Sequence, residues 1–295
     1  MAAYLLAVAI IAGIYLLLTL GLNLQYGFTG LINFGHVGFF AIGAYTSALL
    51  ALRGLPIPLS LLAAMILAAL AAWPLGLLSQ RLRVEYLAIA TLGFSEAVRL
   101  VIIEEAWLTN GVHGITGIPP IGRFEKLGLS ASLVTLLGLV LAGLFAILVF
   151  RRLVHSPFGR VIEAIRDDED AVRALGKDPG GFKIRVFMIG AALAGLAGGF
   201  YAHYIGYLSP DQFLPLVTFY VWVAMVLGGA GRIGGAVAGT AALIFFLEGS
   251  RFLRDALPWV SAVEMASVRL GVVGLALILL MLYRPGGILG GIEEP

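Results

Sequence analysis

Cysteine is absent from this 295-residue chain and charge is scarce. Without a thiol there is no disulfide framework, no thiolate metal site and no cysteine nucleophile. Only 12% of the residues are charged, about half the share of a soluble domain. Neither sign dominates. Nineteen Lys and Arg stand against 17 Asp and Glu, and a net charge of +2 gives no reason to expect nucleic acid as a partner. Apolar side chains take the place of the missing charge, at 60% of the residues with a mean hydropathy of +1.01. A water-facing fold of this size cannot hide so much apolar surface, because accessible area grows too fast with volume. A soluble enzyme, a nucleic-acid binder, a disordered tail and a small disulfide scaffold are excluded. The bilayer is the solvent. Glycine is abundant at 39 residues, which in membrane proteins marks close helix packing or broken helices.

A hydrocarbon core of about 30 Å needs about 20 apolar residues as a helix, since lipid satisfies no open backbone group. Such runs extend over Ala3 to Leu22, His36 to Leu52, Leu59 to Leu78 with Trp73-Pro74 inside it, Tyr86 to Ile103 and Leu133 to Phe150. Phe187 to Tyr207, Leu216 to Leu227, Gly235 to Leu247 and Val268 to Tyr283 continue the series. The first run has no basic leader and no small-residue cleavage site, so it reads as a retained span. The fold expected is all-α, a polytopic integral membrane protein of eight or nine spans forming one domain over 1–295. Arg and Lys concentrate between the third and fourth spans and over 151–185, and cytoplasmic loops hold such excess. The loop from Glu104 to Ser132 then faces outward, and Arg284 puts the C-terminus inside. Nine spans place the N-terminus outside, eight place it inside.

The segment Ser156 to Gly176 reads as a short soluble helix between two spans. Ser156 suits an N-cap, Pro157 the first helical position and Gly176 the C-terminal stop. Val161, Ile165, Val172 and Leu175 recur at helical spacing, and Glu169 is placed to pair with Arg173. A surface helix on the membrane is one account, although such helices favour basic polar faces. The run Asp167-Asp168-Glu169-Asp170 is acidic, and a mixed-charge face suits a protein partner better.

Ser-Pro-Phe-Gly-Arg at 156–160, Glu163-Ala164-Ile165-Arg166 and Ala174-Leu175-Gly176 resemble the coupling loop of ABC-importer permeases, and more narrowly the branched-chain amino acid permeases of the LivM type. The glycine-rich run 191–199, Tyr201-Ala202-His203, Gly30-Leu31 with Gly35-His36, Gly43-Ala44-Tyr45, Thr91-Leu92-Gly93-Phe94, Gly228-Gly229 and Tyr283-Arg284-Pro285 fit the same family, so the resemblance covers the whole chain. One departure stands out: the Ile-x-Leu-Pro element of the general importer loop is missing after Gly176, as is common in the branched-chain group. The resemblance implies half of a pore in a bacterial cytoplasmic membrane, paired with a homologous permease of the LivH type. It further implies two cytoplasmic ATPases and a periplasmic or lipid-anchored binding protein that delivers substrate. Gly159, Arg160, Glu163, Ala164, Arg166, Asp167, Glu169, Asp170 and Gly176 would form or bound the ATPase contact. The chain has no G-x-x-x-x-G-K-[ST] loop, so it is expected to catalyse nothing and bind no cofactor, ATP being used by the partner subunits.

Residues 23–33, with Asn23, Gln25, Thr29 and Asn33, are too polar and glycine-rich for a lipid-facing helix. They suit a broken or re-entrant helix beside a substrate path, or a tight interfacial turn. A second glycine-rich break lies at 228–235. Glu96 and Arg99 share one face of the fourth span, as an ion pair or as partners for a zwitterion. Thr91 and Ser95 suit interhelical hydrogen bonds or substrate contacts. His36 joins these pathway candidates; it and His203 have no metal spacing around them, which favours packed or hydrogen-bonded roles. Trp73, Trp222 and Trp259 suit packing or interfacial anchoring. The readings to be separated are a branched-chain amino acid permease, the same machine carrying urea or amides, an ion-driven secondary transporter, and a membrane enzyme, for which no catalytic constellation is visible.

Overall fold

The computed structural model describes residues 2–122, 130–256 and 286–290, with five positions between 271 and 282. In chain order the helices are α1 (Ala2–Gln25), α2 (His36–Leu52), α3 (Ile57–Leu78), α4 (Val84–Glu104), α5 (Ala106–Thr109), α6 (Ala131–Val154), α7 (Pro157–Asp167), α8 (Glu169–Ala174), α9 (Pro179–Ile205), α10 (Leu216–Gly228) and α11 (Ile233–Ala256). The two-residue strands β1 (Ile115–Thr116) and β2 (Tyr207–Leu208) pair antiparallel. Among the described residues six helices are long and apolar enough to cross a membrane, and His36–Leu52 and Ile233–Glu248 are shorter apolar helices. The chain is therefore an all-helical, multi-pass membrane protein. Eight of the expected spans fall on described helices, while the ninth, 268–283, lies largely outside the described residues, as do Trp259 and the Tyr283-Arg284-Pro285 motif.

Helix α3 shows how lipid sorts these side chains. Its inward positions are small, Ser60, Ala64, Ala68 and Ala72 at every fourth residue, while Leu59, Leu62, Ile66, Leu70 and Trp73 stand exposed. Water would reverse that pattern. In a bilayer the large apolar groups lose nothing outside, and small inward residues let backbones approach. The central helix is α9, with 61% of its apolar window buried against 28% for α3, α4 and α6. It packs on α1, α2 and α3. A Cβ at Gly195 would stand 2.6 Å from the Ala64 carbonyl oxygen, and one at Gly198 would overlap the Phe40 carbonyl, so any larger residue forces the helices apart.

The chain segments between helices collect at two ends. At one, β1 and β2 pair, and His203 Nδ1 lies 2.7 Å from the Pro119 carbonyl while its Nε2 meets Ser47 Oγ at 2.9 Å. The opposite end gathers the 26–35 and 229–232 breaks, the turn after α3, α7, α8 and the start of α9. There Ile288 N donates to Leu227 O at 2.9 Å.

Two expectations about the segment between α6 and α9 are corrected. The helix expected over 156–176 is two helices, broken at Asp168, whose backbone is extended (φ −155°, ψ 103°) and whose Oδ1 accepts from Asp170 N and Ala171 N. Its N-terminus is as expected: Ser156 Oγ accepts from Phe158 N at 3.2 Å and Pro157 follows. Because the axis turns at Asp168, the apolar spacing does not carry through. Ile162, Ile165 and Val172 are buried, whereas Leu175 is 82% exposed. The loop is also shorter than expected, since α9 starts at Pro179, capped by Asp178, and includes Lys183 and Arg185.

Candidate functional site

Helix α1 ends at Gln25 and the chain makes a turn over 26–29 and then runs without regular structure to α2. The four polar side chains of this break are all engaged. Asn23, 1% exposed, donates Nδ2–H to Arg232 O at 3.0 Å and accepts from Gly231 N through Oδ1 at 2.9 Å. Its amide thus stitches the first break to the second, 208 residues away. Gln25 donates to Phe187 O of α9 and accepts from Asn33 Nδ2 at 2.9 Å, while Asn33 Oδ1 accepts from Gly35 N. Thr29 Oγ1 donates to Leu24 O at 3.1 Å. These amides and hydroxyls replace the helical bonds that the break removes, as they must at membrane depth.

Helix α2 begins after Gly35, which has no side chain to cap it. Neighbouring helices supply the acceptors: Thr91 Oγ1 of α4 takes Phe34 N at 3.0 Å, and Thr218 Oγ1 of α10 takes Val37 N at 2.9 Å. Trp222 of α10 donates Nε1–H to Asn33 O and packs against Tyr26 and Phe34. Sequence reading missed Thr218 and the bonding role of Trp222, because a partner so distant along the chain leaves no local spacing to detect.

The other expected residues are placed as follows. Thr91 makes the interhelical bond just described, but Ser95 donates to Leu92 O of its own helix and lies against Gly38. Glu96 Oε2 pairs with Arg99 at 2.8 Å, both side chains being partly exposed. His36 is fully buried at the α1–α2 junction, and neither ring nitrogen has a hydrogen-bond partner among the described residues. Among the described residues no cluster of metal-ligating side chains exists.

The segment α7–α8 lies against the same end of the bundle. Arg166 makes the connection: its Nη1 donates to Gly27 O at 3.0 Å while Nε and Nη2 hold Asp167 Oδ1. A Cβ at Gly30, whose φ is +72°, would stand 3.2 Å from the Arg166 side chain, and one at Gly231 3.4 Å. The guanidinium therefore ties α7 to the first break and lies near Gly231 of the second. Gly159 is buried where α7 turns off α6, and a Cβ there would overlap the Val154 carbonyl. Glu169 is tied inward, accepting from Arg173 at 2.6 Å and from the buried Lys183 of α9. Arg160, Ala164, Asp167, Asp170, Leu175 and Gly176 are left exposed, and Glu163 half-buried. The exposed group forms a mixed-charge surface, with Asp167 paired to Arg166 and Asp170 to Arg173, and with one large apolar residue, Leu175, among it.

Residues 4–281 match the family described as branched-chain amino acid transport system, permease component. The chain is 36% identical over 305 aligned residues to the high-affinity branched-chain amino acid transport system permease protein LivM of Escherichia coli K12, covering 96% of this chain and 69% of that protein. It is 27% identical to the probable branched-chain amino acid transport permease LivM of Methanocaldococcus jannaschii, covering 94% and 90%. It is also 27% identical to the permease protein LivH of the same E. coli system, covering 94% and 91%. No solved structure matches.

Proposed function

The chain belongs to the branched-chain amino acid transport permease family, and we propose that it forms one half of the pore of an ATP-driven importer for leucine, isoleucine and valine. In this reading its pore partner is a second, homologous permease. The chain's likeness to both the LivM and LivH proteins supports that pairing of related halves. Two cytoplasmic ATPases grip α7 and α8, and an external binding protein delivers the amino acid. This chain catalyses nothing and holds no cofactor; ATP is bound and hydrolysed by the ATPases.

The observation that supports the proposal is the bond from Arg166 of the exposed mixed-charge segment to Gly27 O of the first break, beside Gly231 of the second. A segment that only joined α6 to α9 has no need of it. Closure of the ATPases moves α7–α8, and the brace passes that displacement to the ends of four spans, which rock between inward- and outward-open states. In this reading the α7–α8 end lies in the cytoplasm of a bacterial inner membrane. The Arg and Lys clusters at that end support this orientation. Arg160, Ala164, Asp167, Asp170 and Leu175 face the ATPases, with Gly159 and Gly176 setting the segment's limits and Arg166 and Glu169 holding it to the bundle. Asn23, Gln25, Thr29, Asn33, Thr91, Ser95 and Glu96 flank the path and shape it through their bonds, and the buried His36 through its packing.

The test is uptake of labelled leucine into proteoliposomes holding this chain with its permease, ATPase and binding-protein partners. Uptake that requires ATP and every subunit is expected. Uptake by this chain alone, driven by an ion gradient, would overturn the proposal.

A further inference from the structure

A cavity of about 520 Å³ opens between α6, α7 and the start of α11, and none of the transport steps above uses it. Its rim carries Arg151 and His155, one turn apart on α6, with Arg232 before α11 and Glu163 of α7. Among the described residues neither arginine has a carboxylate within ion-pairing distance; Arg232 Nη1 donates to Leu289 O at 2.7 Å, leaving its other donors for a ligand, and Glu163 lines the same cavity. The remaining wall is apolar, and it runs in one direction. Ile147 lies one turn deeper than Arg151 along α6, and Val237 one turn deeper than Ile233 along α11. Beyond them the outer faces of both helices are bare hydrocarbon surface, with Leu144, Phe145 and Leu148 on α6 and Phe245 on α11 exposed.

Arg151 sits in the last turn of a 24-residue span and Arg232 just before another, so the cationic rim is level with the membrane–water boundary. We propose that this cavity binds an anionic phospholipid of the phosphatidylglycerol type. The phosphodiester bridges Arg151 and Arg232, with His155 beside it, and an acyl chain lies along Ile147 and Val237. Glu163 accepts hydrogen bonds from the glycerol hydroxyls of the headgroup. A free phosphate would satisfy the rim alone and leave the apolar wall wet; a lipid fits both ends of the cavity. The site depends on the chain being embedded in a membrane, not on which cargo it carries. It also lies against α7, so its occupancy reaches the segment on which the ATPases are proposed to act.

The experiment is native mass spectrometry of the purified full chain from mixed micelles offering phosphatidylglycerol and phosphatidylcholine in equal amounts. Phosphatidylglycerol should be retained about thirtyfold over phosphatidylcholine, the preference two interfacial arginines supply. The double variant Arg151→Gln/Arg232→Gln should lose it, while Arg152→Gln, on the same turn but outside the cavity, should keep it. Excess inorganic phosphate should not displace the lipid. Equal retention of the two lipids by the unaltered chain, displacement by phosphate, or unchanged preference in the double variant would each overturn the proposal.

Discussion

Replacing Asn23 with alanine should open the joint between the two helix breaks. The side chain makes two bonds to backbone across that joint, to Gly231 N and Arg232 O, and no other side chain replaces them among the described residues. Alanine leaves one donor and one acceptor behind in a partly buried setting, at about 1–2 kcal/mol each for a loss of about 2–4 kcal/mol. For a chain of 295 residues that corresponds to a fall of roughly 3–6 °C in the unfolding midpoint. The loss is also local. Hydrogen exchange should quicken over 26–30 and 229–235 before it does in α9, where no bond has been touched. Thermal unfolding of the detergent-purified chain and peptide-resolved exchange measure the two effects. A midpoint within roughly 2 °C of the parent, or exchange that rises equally everywhere, would refute the claim that this amide joins the breaks.

Other outcomes follow from single sites. Gly35→Ala puts a methyl group into the Thr91 carbonyl and should lower the yield of monodisperse protein in size-exclusion chromatography, whereas Gly93→Ala, with nothing within 4 Å, should be neutral or slightly stabilising. Leu175→Asp with Asp170→Lys should reduce co-purification of the ATPases at least tenfold while leaving the unfolding midpoint within roughly 2 °C, since both side chains are largely exposed. Lys183→Met removes the inner partner of Glu169 and should speed limited proteolysis between α7 and α9, with little change in the spans themselves.

The spans were legible because hydropathy answers directly to the bilayer, and α2 falls on the residues expected for it. The Ser156-Pro157 start was legible because capping is local. The break at Asp168 is signalled by an aspartate able to cap a new helix through the amides of Asp170 and Ala171, but continuous three- and four-residue apolar spacing hides it. The true start of α9 had its own signal in Asp178-Pro179. It was outweighed by Lys183 and Arg185, whose charges read as loop until Glu169 is seen to neutralise the buried lysine. The polar residues of 23–33 stood out by composition alone. Their partners on α9, α10 and the second break lie more than 150 residues away, and only the folded bundle brings them together.

The central claim is that Arg166 transmits motion from α7–α8 to the helix breaks. Its bond to Gly27 O, from a charged donor, contributes about 1.5–3 kcal/mol, enough for a tenfold or larger change in coupling. The decisive measurement compares Arg166→Gln with the parent in proteoliposomes that contain the ATPases, following ATP hydrolysis and leucine uptake in the same vesicles. The account predicts hydrolysis within about twofold of the parent and uptake reduced tenfold or more. Uptake that stays in proportion to hydrolysis would contradict it.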